Sequence, residues 1–125
     1  MHASAAREGQ ALGLAYVCDK DPERADKAAA EWGVTAVTDY RALLDDREVE
    51  AVIIATDVGS HIPIARDALN AGKHLILEKP LGDDISEARA LVAQGERADR
   101  VVYVSFQMRF QPKMVAIKEA LARIA

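Results

Sequence analysis

VEAVIIA, residues 49–55, holds the clearest strand pattern in the chain, and its run 51–55 is apolar without alternation. A strand of that kind has both faces covered, as in a parallel sheet with helices on either side. Downstream, Ile62, Ala65, Ala68 and Leu69 recur at helical spacing over about residues 60–71, and Gly72 stops the helix. Residues 74–78, HLILE, form the next strand. Ile85, Ala88, Leu91 and Val92 mark a helix that ends near Ala98, and residues 101–106, VVYVSF, are again a strand. Pro112 opens a last helix, with Met114, Ile117 and Leu121 expected to face inward.

Upstream the alternation continues. Residues 2–9 read as the last turns of a helix, and residues 12–18 as a buried strand in which Cys18 is a small core side chain. Asp21 caps the next helix, and Pro22 suits its first position. Ala25, Ala28, Ala29 and Trp32 give that helix an apolar face, and Gly33 ends it. A short strand near 36–38 and a brief helix over 39–46, carrying Leu43 and Leu44, lead back to residue 49. Strand and helix thus alternate, which implies right-handed crossovers and an α/β fold with a doubly wound parallel sheet.

The length of 125 residues suits one domain, 1–125. Half of the residues are hydrophobic but only 5% are aromatic, so the core is built from Val, Ile, Leu and Ala. Sixteen basic and 20 acidic residues are interspersed, with no basic run to track a phosphate backbone, and nucleic-acid binding is not expected. No apolar stretch is long enough to cross a bilayer, and the single cysteine cannot form an internal disulfide. The expectation is a soluble, cytoplasmic protein. No Cys/His/Asp spacing suggests a zinc or iron site.

Four motifs stand in a characteristic order. Val17-Cys18-Asp19 closes a strand before Asp21-Pro22-Glu23-Arg24-Ala25. Ala55-Thr56 precedes His61, and Gly72-Lys73-His74 leads into Glu78-Lys79-Pro80-Leu81. Arg109-Phe110 with Pro112 follows. Over almost its whole length the chain resembles the N-terminal half of the glucose–fructose oxidoreductase and inositol 2-dehydrogenase family. The resemblance implies a Rossmann-like nucleotide-binding domain followed by an α/β substrate domain. It also implies hydride exchange between NAD or NADP and a sugar or polyol carbon, and a homo-oligomer in the intact protein. Family members begin with a strand and a G-x-G-x-x-G turn just before a histidine, for which His2 stands here. The sequence is therefore expected to be a partial domain, with Met1 directly after the glycine loop and the substrate domain beyond its end.

The site residues follow from strand ends, where open α/β sheets bind ligands. A carboxylate at Asp19 suits the adenosine ribose hydroxyls and repels a 2′-phosphate, which favours NAD over NADP. Lys20 and Arg24 are close enough in sequence to meet a phosphate and soften that preference. The resemblance sets the segment from Thr56 to His61 against the pyrophosphate and nicotinamide ribose; Thr56, Asp57 and Ser60 also suit a helix cap. It gives Lys79 a catalytic role beside the nicotinamide, where an ammonium stabilises developing negative charge on the reacting oxygen. Glu78 lines the cofactor pocket, and Gln107 stands where relatives often carry asparagine near the nicotinamide ribose. The Lys79–Pro80 bond is open to either isomer.

A partial chain of this kind is expected to be inactive alone. The alternative is a non-catalytic nucleotide-fold module acting as sensor, regulator or interaction protein. Without a central first strand, a gap or a forced pairing is expected between the strands at 12–17 and 49–55, with marginal stability and self-association at exposed edges.

Overall fold

Leu75 and Leu77 have no exposed surface, and the remaining core is arranged around them. The computed structural model describes residues 2–8 and 12–124. In chain order the elements are α1 (His2–Glu8), β1 (Tyr16–Cys18), α2 (Pro22–Trp32), β2 (Thr35–Val37), α3 (Tyr40–Leu44), β3 (Ala51–Ile54), α4 (Val58–Asn70), β4 (His74–Leu77), α5 (Ile85–Ala98), β5 (Val102–Val104), a 3-10 turn (Gln107–Phe110) and α6 (Pro112–Ala122). Met1, expected to follow a glycine loop, and Gly9, expected in the first helix, lie outside the described residues.

Local chemistry sets most boundaries. Asp21 caps α2 by accepting from the Glu23 and Arg24 amides, and Gly33 closes it in the left-handed region at φ 67°. Asp84 caps α5 in the same way through Ser86 and Glu87. α4 begins two residues earlier than its apolar spacing suggests, at Val58, and runs through Pro63. The apolar stripe Ile62, Ala65, Ala68 and Leu69 is buried as expected.

Every strand pair is parallel. β4 lies between β3 and β5, and β1 pairs with β2. The doubly wound α/β arrangement is thus present, divided into a two-stranded and a three-stranded sheet. Among the described residues no ladder joins β1 to β3, so the outcome is a gap rather than a forced pairing.

Side chains tie the two sheets instead. The Tyr16 hydroxyl, on β1, donates to Asp46 Oδ2 at 2.7 Å. The buried Lys73 ammonium donates to the Asp46 carbonyl, also at 2.7 Å. The Tyr40 hydroxyl, on α3, donates to Asp67 of α4. Leu43 and Leu44 of α3 enter the same core cluster as Ile54, Leu69 and Leu75, and Tyr16 and Val37 pack against it.

Three expectations are corrected. β3 is not covered on both faces: Ile54 is buried, Val52 and Ile53 are half-buried and Ala51 is exposed, because β3 is an edge strand of its sheet. Cys18 is exposed rather than core, because it is the last residue of β1. Partial desolvation, then the Asp39 and Asp19 carboxylates, push its thiol above the ordinary range. Met114, Ile117 and Leu121 do not face inward; they are 38%, 51% and 61% exposed, because among the described residues α6 packs chiefly on the 3-10 turn before it rather than on a strand.

Two stability outcomes follow. Gly95 of α5 lies so close to β5 that an added Cβ would stand 2.5 Å from Val102 Cγ2. Gly95→Ala is expected to destabilise by about 1–3 kcal/mol in urea titrations; Gly82→Ala should cost less, since it meets only the rotatable end of Ile62. The Tyr16–Asp46 bond lowers the Asp46 carboxyl below the ordinary range and raises the Tyr16 phenol above it. Its stabilisation is therefore lost as pH falls through the depressed Asp46 value and as pH rises through the elevated Tyr16 value. Tyr16→Phe should flatten both arms of a plot of urea midpoint against pH.

Candidate functional site

Parallel strands finish on the same side of a sheet, and the register aligns these finishes. Ile54 pairs with Leu77, and Leu77 with Val104. The ladder continues past the strands: the Glu78 amide donates to the Ile54 carbonyl at 2.9 Å, and the Ser105 amide to the Leu77 carbonyl at 2.7 Å. Thr56, Lys79 and Gln107 therefore leave neighbouring strands two or three residues beyond the pairing, along one rim. Asp19 leaves β1 one residue beyond Cys18. Its neighbour Lys20 helps to hold the Asp57 carboxyl below the ordinary range.

Asp19 keeps one oxygen on the Asp21 amide at 3.0 Å. Its other oxygen is 3.7 Å from the Arg24 guanidinium, whose side chain is 72% exposed. A pair that open to water holds Asp19 only weakly. Lys20 is exposed beside it.

At the head of α4 the Ser60 hydroxyl donates to the Asp57 carbonyl at 2.8 Å and lies 3.0 Å from Thr56 Oγ1, whose hydroxyl it can accept. Ser60, and further off the Lys20 ammonium, hold the Asp57 carboxyl below the ordinary range. His61 is almost fully buried, 1% exposed. Its ring nitrogens approach two backbone carbonyls, Nδ1 at 2.9 Å from Pro80 and Nε2 at 3.1 Å from Thr56. The ring faces the backbone of two turns.

Glu78 is the hub of the rim. It lies 2.6 Å from His2 Nε2 on α1, accepts from Gln107 Nε2 at 2.8 Å, and receives the Lys79 amide at 3.2 Å. His2, ahead of the Lys79 amide and Gln107, holds the Glu78 carboxyl below its ordinary range. The Gln107 amide group is thus engaged with Glu78. The family resemblance implied a place for His2 after a glycine turn but no partner, since Glu78 lies 76 residues away. Lys79 is exposed, and the Lys79–Pro80 bond is cis.

These residues fit a nicotinamide dinucleotide in parts. Asp19 is an acceptor with capacity to spare, as a ribose needs. The Val58 and Gly59 amides have no partner within the helix, whereas the Ser60 amide donates to the Asp57 carbonyl at 3.0 Å; a Cβ added at Gly59 would meet only the Asp57 carboxylate at 3.8 Å, so two backbone donors lie open to a pyrophosphate. The ionised Asp57 opposes a pyrophosphate there, and Lys20 offsets it. Lys79 and Glu78 stand further along the same rim, where the nicotinamide end would reach.

Comparisons with known proteins agree with this geometry. Residues 1–106 match the model of an oxidoreductase family with an NAD-binding Rossmann fold. The chain is 37% identical over 110 residues to an inositol 2-dehydrogenase of Rubrobacter xylanophilus, covering 87% of this chain and 32% of that protein. It is 36% identical over 107 residues to a UDP-N-acetylglucosamine 3-dehydrogenase of Acidithiobacillus ferrooxidans, covering 86% and 34% respectively. Its fold superposes on GenD2 from gentamicin A biosynthesis, solved in complex with NAD, with a TM-score of 0.92 at 28% identity, covering 95% of this chain and 34% of that one. The chain spans about a third of the length of the relatives it matches. By its strand order, its rim and the match over residues 1–106, the chain belongs to the glucose–fructose oxidoreductase and inositol 2-dehydrogenase family, as an NAD-binding Rossmann-fold domain.

Proposed function

We propose that the chain is the nucleotide-binding part of an NAD-dependent sugar or polyol dehydrogenase. The observation that carries this is the alignment of the strand ends that lead into Thr56 and Lys79, with Asp19 following the end of β1. Two relatives named for dehydrogenation of an inositol and of a nucleotide sugar support the substrate class. A bound nicotinamide ring accepts or returns a hydride. The protein's own groups divide the remaining work. Asp19 accepts from the adenosine ribose hydroxyls and disfavours a 2′-phosphate, with Lys20 and Arg24 moderating that bias. The Thr56 turn and the head of α4, down to His61, support the pyrophosphate and nicotinamide ribose. Lys79 donates to the reacting oxygen and stabilises negative charge as it develops. Glu78, steadied by Gln107 and His2, lines the cofactor slot and faces the approach of Lys79. The proton acceptor and the substrate-reading groups belong to the longer protein, so this chain alone turns nothing over.

Titration of the isotopically labelled chain with NAD tests the reading. Saturation is expected only at about millimolar concentrations or above, with amide shifts concentrated at Asp19, Thr56 and Lys79. Shifts at the opposite strand ends, or none at all, would overturn it. Like charges about 4 Å apart in water repel by about 1 kcal/mol, so NADP should bind about five-fold more weakly, and Asp19→Asn should close that difference. Glu78 gives an independent check. Its carboxyl is depressed in the fold, so its contribution to stability is present above about pH 4.3 and is lost as pH falls through the lower folded value. Glu78→Gln should remove this share of the acid arm in urea midpoints measured against pH.

A further inference from the structure

We infer that a cleft at the amino ends of β3, β4 and β5, opposite the rim, is a second anion site that takes a phosphate dianion, free or as a small monoester. The cleft holds about 410 Å³, within the range of small-molecule sites. It lies between the turn before β3, the turn from α4 into β4 and the residue before β5. Arg47, Lys73 and Arg100 line it beside His74, and Glu50 is the one carboxylate among its lining residues. Three cations thus share one cleft in a chain whose formal charge is -4.

The way these cations are held separates the cleft from an ordinary solvated face. Lys73 is 6% exposed, and its hydrogen bond goes to a neutral acceptor, the Asp46 carbonyl. An ammonium has three donors, and a buried charge without an anionic partner is costly. Arg100 gives Nε to the Gly72 carbonyl and Nη1 to the Asp99 carbonyl, which fixes the guanidinium and leaves Nη2 over. Arg47 is exposed. Among the described residues no ion pair involves Arg47, Lys73, Arg100 or Glu50. Carbonyls therefore fix two of the cations without neutralising them. The Asp46 carboxylate feels the charge of Lys73 but is engaged with the Tyr16 hydroxyl. Glu50 and Asp46 oppose an incoming anion, and a dianion facing three cations outweighs them. Phosphate oxygens also match the forked donors of a guanidinium. Since Lys73 holds the Asp46 carbonyl, an anion here bears on the junction of the two sheets. None of this rests on the cofactor reading, which concerns the opposite strand ends.

The test is titration of the ¹⁵N-labelled chain with glycerol phosphate at about pH 8, where a monoester is doubly charged, with sodium chloride holding the ionic strength constant. The Val101 amide holds the His74 ring through Nδ1 at 3.1 Å, so both residues report on the cleft. Saturating amide shifts are expected at Gly72, His74 and Val101, with a midpoint at about millimolar concentration, and none of that size at Thr56 or Lys79. Arg47→Gln should loosen binding and Glu50→Gln should tighten it, each about five-fold, the weight of one charge at close range in water. The second variant guards against misfolding, since an unfolded chain does not gain affinity. Inorganic phosphate that binds as tightly as the ester would identify the free ion as the ligand, and tighter binding of the ester would identify a phosphorylated small molecule; both uphold the site. Shifts reproduced by sodium chloride alone, shifts that never saturate, or an affinity unchanged in both variants would overturn it.

Discussion

Asp46 accepts the Tyr16 hydroxyl on its carboxylate and the Lys73 ammonium on its carbonyl. Two sheets that share no ladder need such a tie, because strand pairing is the usual means by which parallel strands keep a common direction and level. Tyr16 belongs to the two-stranded sheet, and Lys73 immediately precedes the central strand of the other. One residue in the turn before β3 therefore sets the height of β1 against β3. The strand that leads into Asp19 is held to the second sheet through that tie.

The apolar interior supplies cohesion but not this alignment. Ile54, Leu69, Leu75, Leu77 and Leu91 form a core under α4 and α5, and Leu43 and Leu44 extend it beneath α3. Burial of that kind is non-directional. Directional bonds from Tyr16, Tyr40 and Lys73 then select one arrangement among many that would bury similar area. The same logic holds at the rim, where Glu78 gathers His2, Gln107 and the Lys79 amide into one cluster joining α1, β4 and the turn after β5.

What the sequence disclosed depended on range. α2 was legible because Asp21, Pro22 and Gly33 act within a few residues of the backbone they shape. The buried stripe of α4 was legible because its spacing reports the face it presents. The strand ends named the rim, since a parallel sheet must put them together. α6 misled, because an apolar helix at this spacing reports that a partner exists somewhere, not that the partner lies among residues 2–8 and 12–124. Ile85 opens α5 and Ala98 ends it, as their spacing suggests, while the inward face runs through Leu91 and Gly95. The pairing of His2 with Glu78 and the junction at Asp46 carry no local signature, because each depends on how distant segments come to rest.

Both edges of the three-stranded sheet are tied across. At the carboxyl edge, hydrogen bonds run on past β3 and β4 and reach from His61 to Pro80. At the amino edge the chain turns at Gly72 with φ 74° and at Asp99 with φ 53°, and there the His74 amide reaches the Glu50 carbonyl, the Leu75 amide the Val101 carbonyl and Arg100 Nε the Gly72 carbonyl. Insertions beside Asp46 or Lys73 would therefore be felt at the junction of the two sheets, so the amino side is no freer to acquire new loops than the carboxyl side.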